Sequence, residues 1–217
     1  MITARDVVSV EIPHVDRGLI RYNAQEAEIG GGSHVRSGKD RKDSLSVDQV
    51  VGQMVNYAGI LYLTGSMLSY AEARKKANRN KYVGDGGVDV PGYRIDTKGS
   101  LMRASPDPLR YRLAVRPRER HIGSAYVLGL VPSISGSLVY LVGWWTDERL
   151  PPPDLAGTFK GAHTVKRHDL LKMPVLMEKM EEFKIGSAAK EAEPEKPDVQ
   201  LALFDRRCSS IGRAADL

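Results

Sequence analysis

The chain reads as a single mixed α/β domain, a central mixed β-sheet with helices on both faces, followed by a flexible C-terminal tail. Three observations predict this. One run, Val47, Val50, Val51, Met54, Val55, Ala58, Leu61 and Tyr62, repeats at helical spacing. Two others, Ala125–Val131 and Leu138–Trp145, are almost continuously apolar, as strands covered on both faces must be. Beyond residue 185 the composition turns to Ala, Lys, Glu and Pro with almost no bulky apolar side chain, too little to offset the entropy of folding. At 217 residues there is material for one substantial core plus tails, and not for two large domains.

Each element has its own signal. Asp6–Ile12 is rich in β-formers and is stopped by Pro13, and 15–29 is helical with weak periodicity. Gly30–Asp43 is a glycine-rich, charged loop predicted to be mobile, so residues 1–45 read as a strand and loop ahead of the main domain at 46–184. Ser46-Val-Asp-Gln49 fits a capping box and starts the first long helix; a second follows Gly65, from about Ser66 to Asn78. Val88–Val90 and Tyr93–Leu101 are strands joined by Pro91-Gly92, a pair suited to a type II turn, which splays hairpin strands. Tyr111–Val115 is the next strand, ahead of the two apolar ones, and Gly157–Val165 is a loop with a short edge strand. His163 and His168 are too isolated to be ligands and read as surface positions. Pro174–Phe183, with its proline in the first turn and apolar residues at 176, 177, 180 and 183, is the last packed helix before the tail at 185–217.

Composition narrows the function. Hydrophobic residues make up 41% and charged ones 27%, ordinary for a soluble globular protein. No apolar run reaches the length of a membrane span and no signal peptide opens the chain, so no membrane partner and a cytoplasmic location are expected. The single cysteine, Cys208, excludes an internal disulfide framework and a cysteine-based zinc site. A net charge of +5 favours a polyanionic partner. The charge is concentrated: Arg103, Arg110, Arg112, Arg116, Arg118 and Arg120 stand against only Asp107 and Glu119, a local balance of +4 suited to DNA phosphates. A solvated arginine-rich edge is the alternative.

The stretch with the clearest chemistry is Gly84-Asp-Gly-Gly-Val-Asp89, followed across Pro91-Gly92 by Asp96-Thr97-Lys98. If the two strands pair with Asp89 opposite Arg94, strand alternation puts Asp89, Arg94, Asp96 and Lys98 on one face and Val88, Ile95 and Thr97 on the other. Two carboxylates are hard oxygen donors suited to a magnesium or manganese ion that keeps several waters, and the Thr97 carbonyl is a further donor. Lys98 beside them would orient water or stabilise negative charge growing on a phosphate. The competing reading is a surface hairpin with solvated side chains.

Asp89, then Asp96-Thr97-Lys98 behind a glycine-rich approach, resembles the PD-(D/E)xK nuclease superfamily, the restriction-endonuclease-like fold. The resemblance covers roughly Val47–Met180 and extends to phage and bacterial nuclease-like proteins through the arginine-rich bridge, the two apolar strands and Val142-Gly-Trp144. It implies metal-dependent hydrolysis of DNA phosphodiester bonds, with Asp89 and Asp96 as metal ligands and Lys98 as the catalytic lysine; Asp85 is the alternative first carboxylate. In that superfamily a helix before the hairpin often adds a glutamate. Here the matching Gly-Gln step is Gly52-Gln53, an amide, which puts a second metal in doubt and leaves Gln53 to orient water; Glu72 on the next helix is an outside candidate, with a solvated pair to Lys75 or Lys76 as its alternative. Many relatives act as dimers, so a homodimer stays open. So do an RNA substrate and a catalytically inactive module that keeps the fold.

In the tail, Gln200-Leu-Ala-Leu-Phe204 is an isolated apolar segment on a tether whose composition predicts disorder. It looks like the clamp-binding peptide of bacterial replication and repair proteins. Leu201, Leu203 and Phe204 would bury apolar area in the sliding clamp's pocket while Gln200 bonds at its rim. A segment that folds back onto the domain is the alternative.

Overall fold

The computed structural model describes residues 1–29, 42–72 and 89–186. In chain order its elements are β1 (Val8–Glu11), α1 (His14–Ile29), α2 (Lys42–Thr64), a helical stretch α3 (67–72), β2 (Ile95–Leu101), β3 (Leu113–Val115), β4 (Ala125–Val131), β5 (Leu138–Thr146), β6 (His163–Val165) and α4 (Met173–Glu178). β1, β5, β4 and β2 lie side by side in that order. β2 runs parallel to β4 while the other pairings are antiparallel, so the sheet is mixed and the class is α/β.

β4 is buried along its whole length, because its alternate residues serve two cores. Ala125, Val127 and Val131 pack with Val51, Met54, Val55 and Ala58 of α2, and α1 adds Ile20 to the same cluster. Tyr126, Leu128 and Leu130 face the other way, onto Leu113, Val115 and Val165. Each such side chain taken fully out of water contributes about 1.5–3 kcal/mol. Close approach of α2 depends on Gly129: a Cβ there would lie 2.2 Å from Val55 Cγ1.

Among the described residues the α-helices therefore lie on one face of the sheet. Met173 and Leu176 of α4 join the α2 cluster, and the opposite face is covered by a small antiparallel sheet of β3 and β6. β1 pairs with β5 and α1 packs on α2, so both join the same sheet and core.

Boundaries move for local reasons. α2 begins at Lys42, four residues before the capping-box serine, because Lys42–Leu45 holds no Gly or Pro to stop a helix. The third predicted strand shortens to Leu113–Val115 and pairs with β6 rather than joining the main sheet. The last helix ends at Glu178 and continues as a 3-10 turn over Met180–Phe183, with Leu176 and Phe183 buried as expected and Met177 exposed. His163 is buried, its ring Nδ1 2.6 Å from the Pro151 carbonyl, because β6 is covered rather than an open edge.

At Val142 a β-bulge interrupts the β4–β5 pairing: Leu128 stands opposite Gly143 but Gly129 opposite Leu141. After it Trp144 faces the α2 core, donating through Nε1 to the Lys172 carbonyl (3.1 Å) and lying edge-on to Phe183. Trp145 packs at the rim of the other core and donates to the Arg149 carbonyl at 2.8 Å.

Candidate active site

The site is built on β2, an edge strand of the main sheet among the described residues. Ile95 faces α2 and is fully buried, so alternation turns Asp96 and Lys98 to the opposite face. There Lys98 Nζ lies 2.7 Å from Asp96 Oδ2, and the Asp96 side chain is only 8% exposed. The shared face of Asp96 and Lys98 is thus as the residue pattern predicts.

Asp89 reaches the site differently. The Tyr93 N–H donates to the Val90 carbonyl (3.0 Å) across Pro91-Gly92, and Gly92 has φ 83°, the type II arrangement. The splaying expected of that turn occurs: the N–H groups of both Asp89 and Val90 converge on the Ile95 carbonyl, at 2.9 and 3.3 Å, instead of forming a ladder. Asp89 is therefore not opposite Arg94, and the predicted pairing is corrected. Its carboxylate plugs the open edge of β2, where Oδ2 accepts from the Thr97 N–H (2.7 Å) and from Thr97 Oγ1 (2.8 Å). A strand residue's N–H and C=O project to the same side, so the Thr97 carbonyl also faces this edge. Asn56 of α2 donates to the Asp89 carbonyl at 3.4 Å.

Two further groups enter that sequence reasoning missed. Glu119 ends the 3-10 turn Pro117–Glu119 and places Oε2 3.6 Å from Lys98 Nζ. The turn is held by the Arg116 N–H donating to Glu119 (3.4 Å) and by the Arg116 guanidinium at 3.5 Å. Nothing near Glu119 in the sequence signals this; it follows from the crossover that returns the chain from β2 to its parallel neighbour β4. The second group is Tyr126 of β4, whose ring centroid lies 5.9 Å from Lys98 Nζ, within reach of a cation–π contact.

Burial opposes the charge on Lys98. Asp96 and Glu119 outweigh it, with a smaller contribution from Asp89, and the lysine pKa is raised above its ordinary value. The neighbouring carboxylates thus favour the charged form of Lys98. The Tyr126 hydroxyl is pushed up, mainly by burial, and it donates to Asp147 Oδ1 at 3.0 Å while accepting from the His121 N–H at 2.7 Å.

The remaining predicted residues divide. Arg120 is exposed but already paired: its Nε and Nη2 donate to Asp147 at 3.0 and 2.9 Å, a bidentate pair that holds the Asp147 carboxyl below its ordinary value. Arg116 is paired with Glu119, whereas Arg103, Arg110, Arg112 and Arg118 are exposed. Gln53 is buried and faces the core, accepting from the Tyr70 hydroxyl (2.9 Å), which in turn accepts from Asn23 (3.3 Å). Glu72 is exposed on α3. Asp85 and the segment Gln200–Phe204 lie outside the described residues.

Among the described residues no three His, Cys, Asp or Glu side chains gather as a ligand set. The side-chain donors are Asp89 and Asp96, all-oxygen with the Thr97 carbonyl, which fits a hard cation that keeps several waters. No helix among them is long and apolar enough to cross a membrane.

No family model, curated protein or solved structure matches the chain.

Proposed function

We propose that the chain is a divalent-metal-dependent deoxyribonuclease of the PD-(D/E)xK type, acting in the cytoplasm. The observation that carries this reading is the Asp96–Lys98 pair on one face of an edge strand, with the Asp89 carboxylate anchored at Thr97 between them. Asp89 and Asp96 would hold magnesium or manganese, which when bound stabilises charge on phosphate oxygens and lowers the pKa of a coordinated water. Lys98 supplies a positive charge beside that position, and Glu119 and the Tyr126 ring fix where its ammonium sits. The exposed arginines at 103, 110, 112 and 118 supply a surface for the DNA backbone.

One observation favours a second reading, a nuclease-fold module that binds DNA without cutting it. Gln53, at the helix position where a glutamate would be expected, is committed to the Tyr70–Asn23 network. Incubating the protein with plasmid, branched and single-stranded DNA, with and without magnesium or manganese, separates the two. Metal-dependent cleavage is expected; intact DNA under every condition leaves only the binding module. Recruitment by the sliding clamp is proposed on Gln200–Phe204. A pull-down should lose the clamp when Leu203 or Phe204 becomes alanine, and equal capture by wild type and variants would discard that part.

A further inference from the structure

We propose that Arg94 is an anion-binding residue that seats a backbone phosphate of DNA beside the Asp96–Lys98 pair, an assignment that rests on the nucleic-acid reading above. Arg94 stands one residue ahead of β2, and its carbonyl accepts from the Ala125 N–H as a strand residue's would, so the alternation of β2 carried back one residue assigns it to the face of Asp96 and Lys98. Its main chain is fixed on both flanks: the N–H donates to the Phe183 carbonyl (2.7 Å), and the carbonyl accepts from the Ala125 N–H (2.9 Å).

The guanidinium rests against Gly123, in the loop that leads into β4. Gly123 has φ 73°, and a Cβ there would stand 3.2 Å from both Cζ and Nη1 of Arg94. An L side chain is thus disfavoured twice at that point, by backbone conformation and by the guanidinium. Among the described residues the surroundings hold the arginine without neutralising it. Arg116 and Arg120 each have a carboxylate partner, but Arg94 makes no ion pair among the described residues, and its Nε is buried without a hydrogen-bond partner. Burying part of a cation with no counter-charge is costly, and a native group left so calls for an explanation. A phosphate against the solvent-facing part of the partly exposed guanidinium would supply the counter-charge, although Nε itself is closed to solvent, and a pre-positioned side chain loses little entropy on binding.

The test measures binding of full-length protein to a labelled DNA duplex by fluorescence anisotropy in EDTA, over about 50 to about 200 mM salt, so cleavage plays no part. Arg94→Met keeps most of the apolar stem and removes the charge. It should weaken binding about tenfold at low salt and reduce the slope of log affinity against log salt by about one. Arg94→Lys should keep the slope and lose less affinity. Wild-type affinity and slope in Arg94→Met would overturn the assignment. Should that variant not fold, the Arg94 Nε–H resonance of the wild-type protein decides: it must shift on titration with the duplex, and an unmoved signal overturns the proposal equally. A wild type that binds through Arg94 but never cleaves removes the nuclease reading alone. One that cleaves while Arg94→Met binds unchanged removes this assignment alone.

Discussion

The two faces of β2 are made by the same seven residues and serve opposite ends. On one, Ile95 is sealed against α2, and a few residues across the sheet Gly129 lets Val55 approach so closely that no side chain fits between. On the other, Asp96 and Lys98 form a paired, largely enclosed charge cluster bordered by Glu119 and Tyr126. An edge strand with one apolar and one charged face can be held rigidly by the first while the second stays chemically available, which pre-organised electrostatics require.

That contrast can be broken from either side. The largest effect is expected on the charged face: Asp96→Ala should lower metal-dependent cleavage about a thousandfold while circular dichroism stays that of a folded protein, with some loss of stability because Lys98 loses its buried partner. Full activity in this variant would remove Asp96 from the site. On the apolar face, Gly129→Ala should do the reverse. Its methyl meets the Val55 side chain, so stability should fall by about 1–3 kcal/mol in denaturant titration, and the folded fraction should retain whatever activity the wild type has.

The smallest effect tests the border between the faces, the Arg120–Asp147–Tyr126 network behind Lys98. Asp147→Asn should cost about 1–2 kcal/mol, less than a fully buried pair, because the Arg120 side chain is 40% exposed. The pH dependence has a defined sign. The folded-state pKa of Asp147 is lowered, chiefly by the Arg120 hydrogen bond, so its stabilisation is complete above the ordinary carboxylate value and is lost as pH falls through the lowered one. The gap between wild type and Asp147→Asn, measured by thermal melting, should be present at neutral pH and close in strong acid. A gap independent of pH would mean that the charge on Asp147 is not what stabilises.

What could be read from the residues alone follows from how local each signal is. α2, β4 and β5 announce themselves through unbroken periodicity or unbroken apolar runs, and the Asp96–Lys98 face follows from alternation within one strand. The type II turn at Pro91-Gly92 was legible too, along with its tendency to splay the strands. What was not legible depends on pairing across long stretches of chain. Glu119 reaches Lys98 only because β2 and β4 are parallel neighbours, and Arg120 finds Asp147 27 residues away. β3 leaves the main sheet for β6, which is also why His163 is buried. No arginine in a run of six carries a mark telling which one is committed to a partner inside the fold.

The extra residue at Val142 acts as a frameshift in the alternation of β5. Up to Leu141 the odd-numbered residues look toward α2; past the bulge the even-numbered ones do, which brings Trp144 inside and leaves Trp145 at the rim. Removing one residue there would exchange the indoles, pressing a ring built for the surface into a slot shaped around another. The two tryptophans are therefore natural optical reporters for opposite sides of one sheet: a water-borne quencher should reach the second far sooner than the first.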